Sequence, residues 1–134
     1  MESKFASSLD TNLILRYLLN DVPAQTKKVR KLLSSENQNF YIYDLVLAEV
    51  IFNLQSQDYP RKIIVESLKT LFSLDNIHPE SPFIETVLDF YLDHPALSFV
   101  DCYSASKAEF TKKEPLLTFD KKLAKQHPSA KLLS

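Results

Sequence analysis

Apolar residues recur along the chain either in short unbroken runs or at a spacing of three to four residues, and the breaks between these stretches fall at Pro, Asn, Asp and Ser. A short strand ending at Leu9 is expected to run into a helix that Asp10 or Thr11 caps, with Leu13, Ile14, Tyr17 and Leu18 along one face. Pro23 suits the first turn of a second helix reaching about Leu33, in which Val29, Leu32 and Leu33 lie opposite the basic run Lys27, Lys28, Arg30 and Lys31. Phe40 to Tyr43 reads as the next strand. Asp44 then opens the apolar helix LVLAEVIFNL, whose only charged interior residue is Glu49. An amphipathic helix from Arg61 to Phe72, a strand from Leu74 to His78 and a helix from Pro82 to Leu92 follow. The last third predicts a short apolar Phe99-Val100, a helix from Asp101 to Phe110, a strand from Pro115 to Phe119, a short helix from Asp120 and a closing strand from Lys131 to Leu133.

Short apolar strands alternating with longer amphipathic helices predict an α/β fold with a mainly parallel sheet covered on both faces. A chain of 134 residues suits a single domain, 1–134. In open sheets of this kind ligands bind outside the carboxyl ends of the strands. Asp10 and Asp120 each follow a strand-like segment directly, Glu49 follows the second strand by less than two helical turns, and Asp101 follows Phe99-Val100. Asp10, Glu49 and Asp120 are therefore placed to reach one edge, and Asp101 joins them if the N-terminus of its helix points inward. Taken singly, an Asp before a helix is equally an ordinary N-cap. Glu49, amid Val46, Leu47, Val50, Ile51 and Phe52, is expected close to apolar surroundings, where an unpaired carboxylate is costly unless a cation compensates; a solvated stripe with Asn53 is the other reading.

Composition narrows the chemistry. The chain contains no glycine, which removes the phosphate-cradling loops of the P-loop and dinucleotide types. Turns fall instead to segments such as Asn20 to Pro23, Ser34 to Asn37, Asp58 to Pro60, His78-Pro79 and His94-Pro95. With 16 basic against 17 acidic residues and a pI near 6.3, no global charge attracts nucleic acid, so RNA affinity needs a local basic face. Lys107, Lys112 and Lys113 near the end of the Asp101 helix, and Lys121, Lys122 and Lys125 around the Asp120 helix, are candidates for tracking an RNA backbone, and the Lys27 to Lys31 run is another; an ordinary solvated helix face accounts for either equally. The lone Cys102 rules out an intramolecular disulfide and reads as a packing residue, consistent with a reducing cytoplasm. No signal peptide and no membrane segment is expected, and His78, His94 and His127, each preceding proline, read as loop residues rather than ligands.

Four segments in order, Ser8-Leu9-Asp10-Thr11-Asn12-Leu13-Ile14-Leu15, Val46-Leu47-Ala48-Glu49-Val50, Phe99-Val100-Asp101-Cys102-Tyr103-Ser104-Ala105 and Pro115-Leu116-Leu117-Thr118-Phe119-Asp120-Lys121, resemble the four motifs of PIN domains, and most closely those of the bacterial and archaeal toxin-type PIN ribonucleases paired with a small antitoxin. The resemblance implies a three-layer α/β/α fold with a parallel five-stranded sheet. It implies that Asp10, Glu49, Asp101 and Asp120 gather around Mg²⁺ or Mn²⁺, with Asn12 and Thr118 supporting the site through hydrogen bonds, and it suggests a homodimer whose acidic pocket an antitoxin segment covers. Apolar stretches such as Ile63-Ile64-Val65 with Leu68 and Leu71-Phe72 are candidate surfaces for such contacts, or simply core. The chain departs from the family in having Cys102-Tyr103 where a small pair such as Ala-Leu is common, and Thr111-Lys112-Lys113-Glu114 where many members have a glycine.

The implied chemistry is sound on its own terms. Mg²⁺ takes carboxylate oxygens and keeps several waters, which suits a half-open acidic pocket, and clustered carboxylates repel one another unless a divalent cation neutralises them. Such a metal lowers the pKa of bound water and stabilises charge on a phosphodiester. A haloacid-dehalogenase-type phosphatase also begins with a strand and Asp, but it needs a second acid two residues on, where this chain has Asn12. Two alternatives remain: a non-catalytic protein-interaction module on the same fold, and a PIN nuclease of RNA maturation.

Overall fold

The computed structural model describes residues 5–133, which form two compact units, one ending at Ser81 and the other starting at Pro82. In the first, β1 (Phe5–Ser8) leads through α1 (Thr11–Leu19) and α2 (Pro23–Leu33) to β2 (Gln38–Ile42), and β2 leads through α3 (Asp44–Ser56) and α4 (Arg61–Phe72) to β3 (Ile77–Pro79). The strands pair in the order β1-β2-β3, all parallel, with Ser7 opposite Phe40 and Phe40 opposite Ile77. Parallel neighbours need long crossovers, and each crossover here is a pair of helices. Phe40 and Ile42 alternate into the interior, where Ile14, Leu47, Val50, Ile51, Ile64 and Leu68 are also buried.

The second unit consists of α5 (Ile84–Asp93), α6 (Phe99–Phe110), β4 (Leu116–Thr118), α7 (Lys121–Gln126) and β5 (Ala130–Leu132). β4 and β5 form a parallel pair joined through α7, with Leu116 opposite Ala130. Two short strands have little stability alone. Here α5 packs on α6, with Tyr91 and Phe99 meeting edge to face at 6.0 Å. The fold is thus of the α/β class, its described strands forming a three-stranded ladder in one unit and a two-stranded ladder in the other, each parallel within itself.

Three local expectations are corrected. The third strand starts at Ile77 rather than Leu74, because α4 unwinds through successive tight turns in which Ser73, Leu74 and Ile77 donate to Thr70, Leu71 and Leu74. His78-Pro79 is accordingly part of β3 and not a turn; Pro79 is tolerated because β3 lies at the edge of its ladder. α6 begins at Phe99, two residues before the expected start, because the Ser98 hydroxyl caps it by accepting from Asp101 N at 3.1 Å. Of the two readings of the Ile63 to Phe72 stretch, core is the one found: Ile64, Val65, Leu68 and Leu71 are buried, leaving only Ile63 substantially exposed.

Candidate functional site

In the first unit, Asp10 follows β1 by two residues and caps α1, its Oδ1 accepting from Leu13 N at 2.8 Å. The Asp side chain satisfies one orphan N–H of the first turn and its negative charge lies at the positive end of the helix. The next residue, Thr11, donates its hydroxyl to Glu49 Oε2 at 3.1 Å, which fastens the middle of α3 to the start of α1. Asp10 and Glu49 are therefore brought to one place through Thr11, a residue not singled out for the site from sequence although it follows the first acid directly. Asn12 is exposed on the same first turn, with no side-chain hydrogen bond among the described residues.

Glu49 is exposed, contrary to the expectation of apolar surroundings. The apolar run does not bury it, because Leu45 and Phe52, one turn to either side on the same helix face, are themselves 81% and 75% exposed. Nearby, at the start of α3, Asp44 is buried: its N–H donates to Glu80 Oε1 at 2.8 Å and its Oδ2 accepts from Ser81 Oγ at 2.5 Å. Glu80 so supplies the helix cap that Tyr43 lacks. Sequence reasoning missed this cluster, whose partners lie 36 and 37 residues away.

In the second unit, Asp101 lies in the first turn of α6, half-exposed, while Ser98 does the capping. Asp120 caps α7: its Oδ1 accepts from Lys122 N at 2.9 Å and Leu123 N at 3.1 Å. Its own N–H donates to Thr118 Oγ1 at 3.0 Å, so the threonine at the end of β4 fixes the backbone from which the carboxylate projects. Lys112, Lys113, Lys121 and Lys122 are exposed; Lys107 Nζ donates to Tyr103 Oη at 3.2 Å and lies 5.5 Å from its ring centre. Cys102 is buried in α6.

Of the three histidines only His78 lies in a strand; His94 and His127 stand in the loops just past helix ends, and all three are hydrogen-bonded. His78 hydrogen-bonds Asn39 Oδ1 from β3, and His94 caps α5 through the Phe90 carbonyl with its ring stacked on Phe90 at 3.8 Å. His127 is buried at the end of α7: Nδ1 accepts from Ser129 N at 3.1 Å, which leaves the ring proton on Nε2 to donate to Ser106 Oγ at 3.3 Å. Ser129 Oγ in turn donates to Glu109 Oε2. Burial lowers the imidazole's proton affinity below its ordinary value near 6.5; Glu109 works against this and His94 adds to it.

Among the described residues no three His, Cys, Asp or Glu side chains stand close enough together to close a metal cage. The acids of each unit taken by itself suit a hydrated hard cation all the same. Asp10, Glu49, Asp101 and Asp120 offer solvent-facing carboxylate oxygens, and among the described residues none is in an ion pair with Lys or Arg. Mg²⁺ is characteristically held by one or two carboxylates and several waters.

The sequence pattern of the PIN domain family matches residues 8–127. The chain belongs to the PIN domain family. PIN domains are generally nucleases and usually use divalent metal ions. The matched span of this PIN domain takes in all four acids, together with Thr11 and Thr118. Among solved structures it is similar to a chain of the crystal structure of VapBC2 from Rickettsia felis bound to a DNA fragment from their promoter, with 19% identity over 96% of this chain and 98% of that one and a TM-score of 0.41. No curated protein matches it in sequence. No helix among the described residues is long and apolar enough to cross a membrane.

Proposed function

We propose that this PIN domain is a Mg²⁺- or Mn²⁺-dependent endoribonuclease, the toxin of a toxin–antitoxin pair, with Asp10, Glu49, Asp101 and Asp120 as its metal ligands and residues 1–134 acting as one domain. The observation that carries the reading is the Thr11–Glu49 hydrogen bond beside the Asp10 cap. Two carboxylates from segments 39 residues apart are held at one helix start, solvent-facing and without a basic partner among the described residues. A structural ion pair would supply a lysine or arginine there; a metal-binding role needs the position left open.

When bound, the metal would supply Lewis acidity and a more acidic water for attack on the phosphodiester. The chain's own residues do the rest. Thr11 holds the Glu49 carboxylate by one oxygen and leaves the other outward. Thr118 sets the Asp120 backbone, and the α1 and α7 caps orient the Asp10 and Asp120 carboxylates before any ligand arrives. Leu45 and Phe52, exposed on the helix that carries Glu49, support a protein cover over that face, as an antitoxin or a second copy of the chain would provide. The buried thiol of Cys102 is in keeping with a cytoplasmic setting.

The test is cleavage of a labelled single-stranded RNA pool with Mg²⁺ or Mn²⁺, beside an EDTA control and an Asp101→Asn variant. Cutting that requires both the metal and Asp101 is the expected result. Activity that survives EDTA and the substitution refutes the assignment, and absence of both cleavage and calorimetric Mn²⁺ binding points instead to a non-catalytic interaction module.

A further inference from the structure

The second helix of the first unit carries a charge pattern that the acidic site does not use. α2 contains no acidic residue, buries Thr26, Val29 and Leu33, and exposes Lys27, Lys28 and Lys31 together on the opposite face. None of these three lysines has an ion pair or side-chain hydrogen bond among the described residues. Arg30 is set apart from them, in a shallow groove that it shares with Glu66 of α4. The helix is firmly mounted on α1. Thr26 Oγ1 donates to the Arg16 carbonyl at 2.6 Å, Arg16 Nε donates to Gln25 Oε1 at 3.0 Å, and the Arg16 guanidinium holds both oxygens of Asp21 at 3.0 Å.

Between α1 and α2 lies an open cleft of about 250 Å³ lined by Asn12, Leu13, Arg16, Gln25, Lys28 and Val29. Leu13 and Val29 give it an apolar floor, and two amides stand on its walls. Gln25 Oε1 is engaged by Arg16, which leaves its amide hydrogens available as donors, while Asn12 offers both a donor and an acceptor. A flat apolar slot with a few amides is suited to a nucleobase, and Lys28 on its rim suits the adjoining phosphate. Asn12 stands two residues from Asp10, so the cleft leads towards the start of α1 where Asp10 and Glu49 meet.

We propose that single-stranded RNA crosses α2 with its phosphates on Lys27, Lys28 and Lys31 and one base seated in the α1/α2 cleft against Asn12 and Gln25. This rests on the ribonuclease reading and moves the main RNA contact from the lysines of the last third to the first unit. An acidic protein segment would match the lysines but would leave the amide-lined slot without a purpose.

Binding is read without cleavage, by fluorescence anisotropy of labelled single-stranded RNA with the full chain in EDTA across a salt series. Simultaneous Lys27→Ala, Lys28→Ala and Lys31→Ala substitutions keep helix propensity, and circular dichroism checks the fold. Loss of three phosphate contacts should weaken binding on the order of tenfold or more and flatten the log–log salt slope by about 2, at about 0.7 per contact on a single strand. A matched Lys112→Ala, Lys113→Ala, Lys122→Ala variant should change both much less. Gln25→Ala should alter the ranking of poly(A), poly(C) and poly(U). Wild-type affinity and slope in the α2 variant overturn the inference, and if the wild type still cuts RNA with metal the ribonuclease reading stands. A wild type that neither binds nor cuts RNA removes both, and α2-dependent capture of labelled polyglutamate without RNA binding assigns the lysines to an acidic protein instead.

Discussion

Replacing Asp120 by Asn and by Ala separates two jobs that one carboxylate is assigned. As the cap of α7 it accepts two backbone N–H groups on a single oxygen, Oδ1, from Lys122 at 2.9 Å and Leu123 at 3.1 Å. An Asn side chain offers an amide oxygen in the same place and caps about as well, whereas Ala leaves both donors to water. Asp120→Ala should therefore destabilise by about 1 kcal/mol, and Asp120→Asn by no more than a few tenths. For a chain of this size 1 kcal/mol corresponds to about 3–5 °C in Tm, well within reach of a thermal melt. The ligand role divides the variants differently, because a neutral amide is a poor replacement for a carboxylate on a hard cation. Calorimetric Mn²⁺ affinity and RNA cleavage should fall sharply in both variants, while stability without metal falls only in the Ala variant. If Asp120→Asn binds Mn²⁺ and cuts RNA like the wild type, Asp120 is a cap and nothing more.

Three further outcomes are expected. Thr11→Val removes the hydroxyl that holds Glu49 and should weaken Mn²⁺ binding by about tenfold or more, with Thr11→Ser restoring it; calorimetry on the two variants decides this. Because burial favours neutral His127, the unfolded chain takes up its proton more readily than the folded one. The His127 contribution to stability is thus complete above pH 6.5 and is lost as pH falls from there through the folded-state value, where a protonated Nδ1 would face the Ser129 N–H. Urea unfolding between pH 7.5 and 5 should show this slope, and His127→Gln should flatten it. Lys112 lies in the left-handed region at φ 57°, which costs a side-chain-bearing residue about 1–2 kcal/mol; allowing for the greater freedom of unfolded glycine, Lys112→Gly should raise stability by about 0.5–1 kcal/mol in the same assay.

Where local chemistry decides, the sequence was a good guide. α2 and α4 run over the residues expected, Pro23 opening the first and amphipathic spacing marking both, and Asp10 and Asp120 cap the helices they precede. Within Thr111 to Glu114, the segment where the resemblance led to an expected glycine, Lys112 adopts a positive φ, a backbone shape that the residue type does not suggest. What sequence could not give depends on contacts between distant segments. Ser98 takes the cap that Asp101 might have supplied, a competition between two suitable residues. Glu49 is exposed because its apolar neighbours on that face are exposed too, and periodicity cannot tell a buried stripe from one left open. His127 reads as a turn residue beside Pro128, yet Ser106 and Ser129 enclose it. The four acids fall within the span that matches the PIN family, but the hydroxyl of Thr11 that meets Glu49 beside Asp10 has no signature of its own.

The division of the acids between the two compact units bears on the order in which the chain is made. A ribosome that has released residues through Ser81 has delivered the whole β1-β2-β3 ladder with Asp10 and Glu49, but neither Asp101 nor Asp120. Units nearer the N-terminus fold first during synthesis, and residues 82–120 take on the order of several seconds to appear. On the proposed assignment of ligands, a nascent chain that has reached Ser81 therefore carries only half of its acids, and becomes able to cut RNA only once Asp120 and the helix it caps have emerged.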